Sequence, residues 1–472
     1  ELRAKSEPGF KFNQASIPIA QGLSRETFES LRSVIREEIE QTASENWHQQ
    51  EEKHRMESHE ERERMEHHSE SYAREKALPL ESKSDFELSL SGYGETRFSL
   101  YDYDEDINNQ EGSRSDSRAT FDLSRFVVEI EGEYEPAELE FEAEIEFEHG
   151  GTGVAKELEF DEFGEFEDEV ENGGEVIVEE LFVRKEFDEN FSARIGRFYV
   201  GMGLLSDYYT PLDYLAVSRS EAETTVLPAQ WDELGIELQA KNDFGTATFQ
   251  IVNGLDSSGF SSSRWVASGH QEKFEVNKAE NVAFVTRLDA HPWDDDVVVG
   301  ASFYYAPSTS DNRPREDVDV DGELFILDAH YHAIWDQLRS QGTVIWGSLS
   351  DSAAISERNG RLSNNLDVAR TPVAEEALGL WSEVGYDVAP LLDVSDEHRI
   401  EPFFRFDYYD TFYAVEGDDF RNPRYERFVY TSGLAYTYRQ LVTAKLDWSH
   451  RQYGASDFRD QNIIRFGVGF VY

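Results

Sequence analysis

QNIIRFGVGFVY, residues 461–472, is the stretch whose reading decides the fold. Ile464, Phe466, Val468, Phe470 and Tyr472 fall at every second position and are large and apolar. Between them lie Ile463, Arg465, Gly467, Gly469 and Val471, mostly small or polar. A β-strand points successive side chains to opposite faces, so this strand has one greasy face and one thin, partly polar face. Such alternation suits an amphipathic strand of a soluble sandwich. It suits better a closed wall with lipid outside and water inside, since the chain stops on an aromatic residue. The rest of the chain must choose.

Composition bounds the choice. The chain has 472 residues, of which 39% are hydrophobic, and no apolar run is long enough for a spanning helix. A membrane β-barrel needs an apolar residue only at every second position, so its hydropathy resembles that of a soluble protein. Aromatic residues are abundant, 32 Phe and 22 Tyr, as strands and interfacial girdles require. No signal peptide is visible at Glu1, and a secreted precursor would have lost one. Cysteine is absent, which removes disulfides, thiolate metal sites and cysteine catalysis. The net charge of -53 argues against nucleic acid as a partner, because phosphates would be repelled. Acid excess with scarce lysine suits a halophilic setting, where salt screens dense charge.

Residues 1–84 hold 18 acids and 13 bases and differ in texture from the remainder of the chain. An extended leader precedes Ser24, a plausible N-cap, and a helical pattern then runs to about Lys76, with Pro79 as its stop. Phe28, Leu31 and Ile35 lie at helical spacing. The expectation is a periplasmic polar helix, either solvated or joined as a short trimeric coiled coil. His48, His54, His59, His67 and His68 read as exposed histidines, since the i, i+4 pairing of metal ligands is missing.

From residue 85 the pattern changes to about sixteen strands, running from 85–101 to 461–472. Short connections come after every second strand: near Pro136, at 187–190, 241–244, 291–296, 337–340 and Arg439-Gln440. The others are long, including 150–173, 200–230, 254–279, 307–321 and 350–376. Short turns at one end and long loops at the other are the mark of an outer-membrane β-barrel. The fold expected is all-β: a transmembrane antiparallel barrel over 85–472 with an N-terminal helical extension.

The third strand, AELEFEAEIEFE at 137–148, predicts the interior. Glu138, Glu140, Glu142, Glu144, Glu146 and Glu148 share one face, each about 7 Å from the next. Such neighbours repel by about 0.6 kcal/mol in water and about 2.4 kcal/mol at an effective dielectric of 20. That row is therefore expected to face bulk solvent or a wet lumen. Later strands put Arg405, Arg427, Lys445 and Arg465 on the same inner side. These either set a transverse field against the glutamates or neutralise nearby carboxylates. Phe466, Val468, Phe470 and Tyr472 are expected to face the membrane.

The long loop VGMGLLSDYYTPLDYLAVSRSEAETTVLPAQ at 200–230 is unusually apolar and aromatic. It is expected to fold into the lumen and narrow it, with Asp207, Tyr208, Tyr209, Asp213, Arg219, Glu221 and Glu223 at the constriction. RIGRFYVGMGLLSDYYTP at 194–211, LPAQWDELGIELQ at 227–239 and QIVNGLD at 250–256 together resemble the phosphate-selective porin O/P-type family. The similarity is to its broad, diverse members more than to the phosphate-specific ones. It implies a sixteen-stranded homotrimeric porin of the outer membrane of a diderm bacterium, with an inward-folded third loop.

Asp317, Asp319, Asp321, Gly322 and Asp328 form part of a calcium-loop pattern, though Asp replaces the bidentate Glu. No metal is otherwise expected, and no nucleophile elbow, HExxH or phosphate cradle appears, so the chain does not read as an enzyme. The function expected is passive diffusion of small polar or ionic solutes, cation-leaning because of the acid excess. The competing expectation is a structural sleeve or envelope tether around a partner protein.

Overall fold

The computed structural model describes residues 86–103, 116–151, 153–154, 172–174, 176–271, 278–293, 297–313, 318–361, 371–417, 420–456 and 458–472. The leader, helix, coiled coil and histidines expected over residues 1–84 lie outside the described residues.

The strands, in chain order, are β1 Phe86–Tyr103, β2 Asp116–Tyr134, β3 Leu139–Glu148, β4 Gly153–Val154, β5 Asn172–Gly174, β6 Val176–Asp188, β7 Phe191–Tyr199, β8 Asp232–Asn242 and β9 Gly245–Asn253. They continue with β10 Val282–Ala290, β11 Val297–Ala306, β12 Leu324–Trp335, β13 Leu338–Leu349, β14 Glu376–Tyr386, β15 His398–Ala414, β16 Glu426–Tyr438, β17 Val442–Tyr453 and β18 Gln461–Val471. Sixteen of them form one closed antiparallel barrel, while β4 and β5 pair as a small separate ribbon. Every barrel strand bonds to its sequence neighbour, and β18 returns to β1 with Phe466 opposite Phe98 and Ile464 opposite Leu100. Closure removes both edges of the barrel sheet, so no barrel strand is left with an unpaired ladder.

The closing strand is held by more than its ladder. Tyr472 donates from its backbone nitrogen to Gly92 at 2.9 Å and from its hydroxyl to the Val127 carbonyl at 3.1 Å. A Cβ at Gly92 would collide with that same carbonyl and crowd the Tyr472 ring, so glycine is required there.

The alternation behaves as expected along the late strands. Ile464, Phe466 and Phe470 are exposed on the outer face, beside Leu446, Trp448 and Leu434 of the neighbouring strands. Ile463, Arg465 and Val471 are buried on the inner face. Tight turns close the short end: Asp336 and the pair Arg439-Gln440 all take positive φ, near 50°. The turn at Asp336 begins earlier than expected, and Leu338–Ser340 belongs to β13. One short-end connection is longer, passing through a one-turn helix at Ala389–Leu392.

The inner face is stratified. Toward the short turns it is polar, as in Asp328, His330 and His332 of β12 or Arg339, Gln341 and Thr343 of β13. Toward the long loops it is apolar: Leu324, Ile326, Ile345, Leu349 and Ala377 are all buried. The loops after β9 and β13 pack onto this apolar zone through Phe260, Trp265, Val266 and Ile355, each fully buried. Trp265 lies against Gly347, where a Cβ would strike its ring, and its indole donates to the Ala374 carbonyl at 3.0 Å. By sequence these loops are mostly polar. Their charged residues obscure a minority of apolar ones that bury a second layer.

Candidate functional site

Residues 200–230 leave β7 and run against the inner wall. Gly201 and Gly203 donate to Gln250 of β9 and Asp328 of β12 at 3.0 and 2.9 Å. Leu215 and Val217 donate to Glu383 of β14 and Asp447 of β17 at 2.8 and 2.7 Å. Lys445 of β17 donates to the Tyr214 carbonyl at 2.5 Å and lies over the Tyr214 ring. Tyr214 donates to Glu95 of β1 at 2.6 Å. One segment therefore bonds to strands around most of the circumference and lies inside the barrel. It ends in a short helix, Glu221–Val226, whose N-cap Ser220 accepts from Glu223 and donates to Asp407 at 2.6 Å.

The charged residues singled out in this loop are mostly engaged. Asp207 pairs with Arg287 at 2.7 Å and remains half-exposed. Tyr208 stacks on His332 with ring centroids 4.3 Å apart. Asp213 accepts from the backbone and hydroxyl of Thr210, a local turn brace. Arg219 donates to the Tyr209 carbonyl at 3.1 Å. Glu223 accepts from Leu205 at 2.7 Å and from the Trp381 indole at 2.6 Å. Burial pushes the Glu221 carboxyl up, but Arg451, Arg465 and Arg405 outweigh it and hold it below the usual range.

Of the late-strand arginines, Arg405 and Arg465 serve the same loop and Arg427 does not. Arg405 is buried between Asp407 at 3.1 Å and Glu383 at 3.8 Å and donates to the Ser218 carbonyl. Arg465 pairs with Asp447 at 2.8 Å and reaches the Ser218 hydroxyl. Arg427 turns to the Arg424 carbonyl and lies 4.1 Å from the Tyr453 ring centroid. Arg405 and Arg465 each pair with a neighbouring carboxylate, whereas Lys445 and Arg427 bind carbonyls and lie over tyrosine rings.

The glutamate row on β3 departs from expectation. Glu138 precedes the strand: it sits at a left-handed turn and pairs with Lys185 at 2.7 Å. Glu140 pairs with Arg184 at 3.0 Å. Glu142 is half-buried, whereas Glu144 and Glu146 are 1% and 3% exposed. The row was expected to be wet along its length, but aromatic rings from Tyr93, Tyr199 and Tyr209 gather beside its buried part. Carboxylates from β2 and β6 crowd the same place. The oxygens of Glu129, Glu131 and Glu142 lie within 4.8 Å of one another, as do those of Glu142, Glu144 and Glu180. At an effective dielectric of 20, two full charges at that separation repel by about 3.5 kcal/mol. The sequence showed the β3 half of this cluster. It did not show Glu179 and Glu180, which both turn inward at a bulge opposite Glu144.

Asp328 does not join a calcium loop with its upstream aspartates. It lies on β12 and binds His330 at 2.6 Å, and His330 reaches Asp289 at 2.7 Å. Asp317 lies outside the described residues. Among the described residues, neither Asp319 nor Asp321 belongs to a group of three acids close enough to share an ion. Sequence reasoning missed the Asp–His–Asp chain, although the spacing of Asp328, His330 and His332 on one strand face signals it.

No protein-family model matches the chain. A relative from Aquifex aeolicus (strain VF5), described as an uncharacterized protein, is 25% identical over 393 residues, covering 82% of this chain and 80% of that one. The fold is similar to OprB of Pseudomonas putida, with a TM-score of 0.50 and 10% identity over 82% of this chain and 94% of that chain. It is also similar to Salmonella typhi OmpF in complex with daunomycin, with a TM-score of 0.50 and 12% identity over 84% of this chain and all of that chain. What these likenesses establish is the architecture: a closed sixteen-stranded barrel of the porin type.

Proposed function

We propose that the chain is an outer-membrane porin for passive diffusion of small polar or ionic solutes, and not an enzyme. The observation that carries the reading is an apolar outer face around a closed barrel whose inner face is ionised toward the short turns. A second feature supports it. Phe187, Phe244, Trp293 and Trp335 stand exposed beside the short turns, as an aromatic girdle at a lipid–water boundary requires. Residues 200–230 act as the constriction, and the excess of 97 acids over 44 bases makes the pore favour cations. The likeness at 194–211 supports a homotrimer of the O/P-type porin family in its broad sense.

Purified protein in a planar bilayer gives stepwise conductance, with a reversal potential across a salt gradient of the sign for cation preference. Deleting 205–225 raises the step size. Well-folded protein that gives no steps overturns the channel, unchanged step size removes the constriction, and anion preference refutes the charge argument. The sleeve reading has less support, because residues 200–230 already cross the space that a threaded partner would need.

A further inference from the structure

We propose that the acidic cluster on β2, β3 and β6 binds a hard divalent cation of the calcium type. The proposal stands apart from the channel reading and does not depend on it. Cross-strand register builds the cluster. Glu129 lies opposite Glu144, and Glu131 lies opposite Glu142, across β2 and β3. Glu144 lies opposite Glu180 across β3 and β6, and the register then slips, so that Glu179 joins Glu180 on the inner side. Bulges are a common means of re-aiming one side chain at a site.

Most of the neighbouring acids have a protein donor or a cation beside them. Ser91 donates to Glu129 at 2.8 Å and Ser89 to Glu131 at 3.2 Å. Tyr199 and Gln230 donate to Glu179 at 2.9 and 3.1 Å. Arg194 stands 3.5 Å from Glu180, and Arg125 stands 3.5 Å from Glu146. Glu144 differs. It is 1% exposed, both of its carboxylate oxygens lack a hydrogen-bond partner, and it is directed at Glu142 and Glu180. A buried carboxyl group with no donor is stable only when it is neutral or beside a positive partner, and the crowding of several carboxyls here favours a shared cation.

The geometry suits an ion. Oxygens bound to Ca2+ at about 2.3–2.6 Å lie at most about 4.6–5.2 Å apart, and the three carboxylates fall within 4.8 Å of one another. The donors are all oxygen, which selects hard cations over zinc or copper. Glu131 and Glu142 are half-buried, so one side remains open for water ligands and for access from the lumen. An irregular carboxylate set completed by water fits the variable coordination of calcium better than the strict octahedron of magnesium.

Terbium reports on such a site, because tyrosines stand beside it to sensitise its emission: Tyr199 bonds Glu179, and Tyr209 packs on Tyr199. The full chain in detergent, stripped with chelator and excited at tyrosine, shows saturable Tb3+ emission that Ca2+ displaces. Glu144→Gln and Glu142→Gln each raise the half-saturating concentration by about tenfold or more, because ligand charge sets affinity. The double variant D319N/D321N leaves it unchanged. Emission decay compared in light and heavy water reports few coordinated waters on the wild type. Absence of saturable emission, an unchanged half-saturation in both glutamine variants, or an ion with a nearly complete water shell overturns the proposal. Should Glu144→Gln lose its strand signal in circular dichroism, the half-exposed Glu142→Gln decides.

Discussion

Glu221 sits where Arg451, Arg465 and Arg405 converge, and its carboxylate binds Arg451 at 2.6 Å. Because its folded pKa is depressed, its contribution is complete above the ordinary carboxylate range and is lost as pH falls through the depressed value. Glu221→Gln removes that contribution at neutral pH, costing about 2 kcal/mol, since both partners are only partly shielded from water. Thermal unfolding measured from pH 7 down to pH 3 checks this: the wild-type and variant midpoints differ at neutral pH and converge on acidification. A constant gap would place the effect elsewhere. At this scale the sequence was partly legible. The inward parity of Arg405, Lys445 and Arg465 comes from strand alternation, and the structure buries all three. The partners of those residues were not legible, because Tyr214 and Ser218 belong to a loop about two hundred residues earlier. Glu144 is the sharper case: the strand made it inward, but the covering rings come from other elements.

Among elements, strands were easier to read than loops. A strand carries its periodicity in every residue, so its two faces are declared locally. The turn at Arg439-Gln440 needed no glycine to be found, because a clear alternating run flanks it on each side. The bulge between β3 and β6 had no such signal, since Glu179-Glu180 reads as an ordinary break in alternation. The loops after β9 and β13 bury a few apolar residues among many polar ones, and no period marks them. Trp265 is the test of that layer. It is fully buried and packs into the space left by Gly347. Trp265→Ala is expected to cost about 3–5 kcal/mol, the usual range for truncating a buried large aromatic residue. Limited proteolysis checks it: cleavage within 254–281 and 350–375 appears in the variant while the strands stay protected. Equal protease resistance would show that the loop layer does not depend on this ring.

The whole molecule rests on one partition. Apolar side chains cover the outside of a closed wall, its inner face is ionised toward the short turns and apolar toward the long loops, and a loop bonded around the inner circumference crosses the interior. The greasy exterior costs free energy in water and none in hydrocarbon, while the paired charges within are tolerable beside a wet lumen. Chain closure between β1 and β18 makes that partition complete, because no edge remains to satisfy elsewhere.

The chain has no cysteine, so single cysteines can carry spin labels without further change. The most direct measurement is the accessibility of labels placed one by one along 463–470 in lipid bilayers, read with oxygen and with a water-soluble nickel complex. The account predicts high oxygen accessibility at 464, 466, 468 and 470, alternating with low values at 463, 465, 467 and 469. A uniform profile, or a maximum for the nickel reagent at the phenylalanine positions, would contradict it.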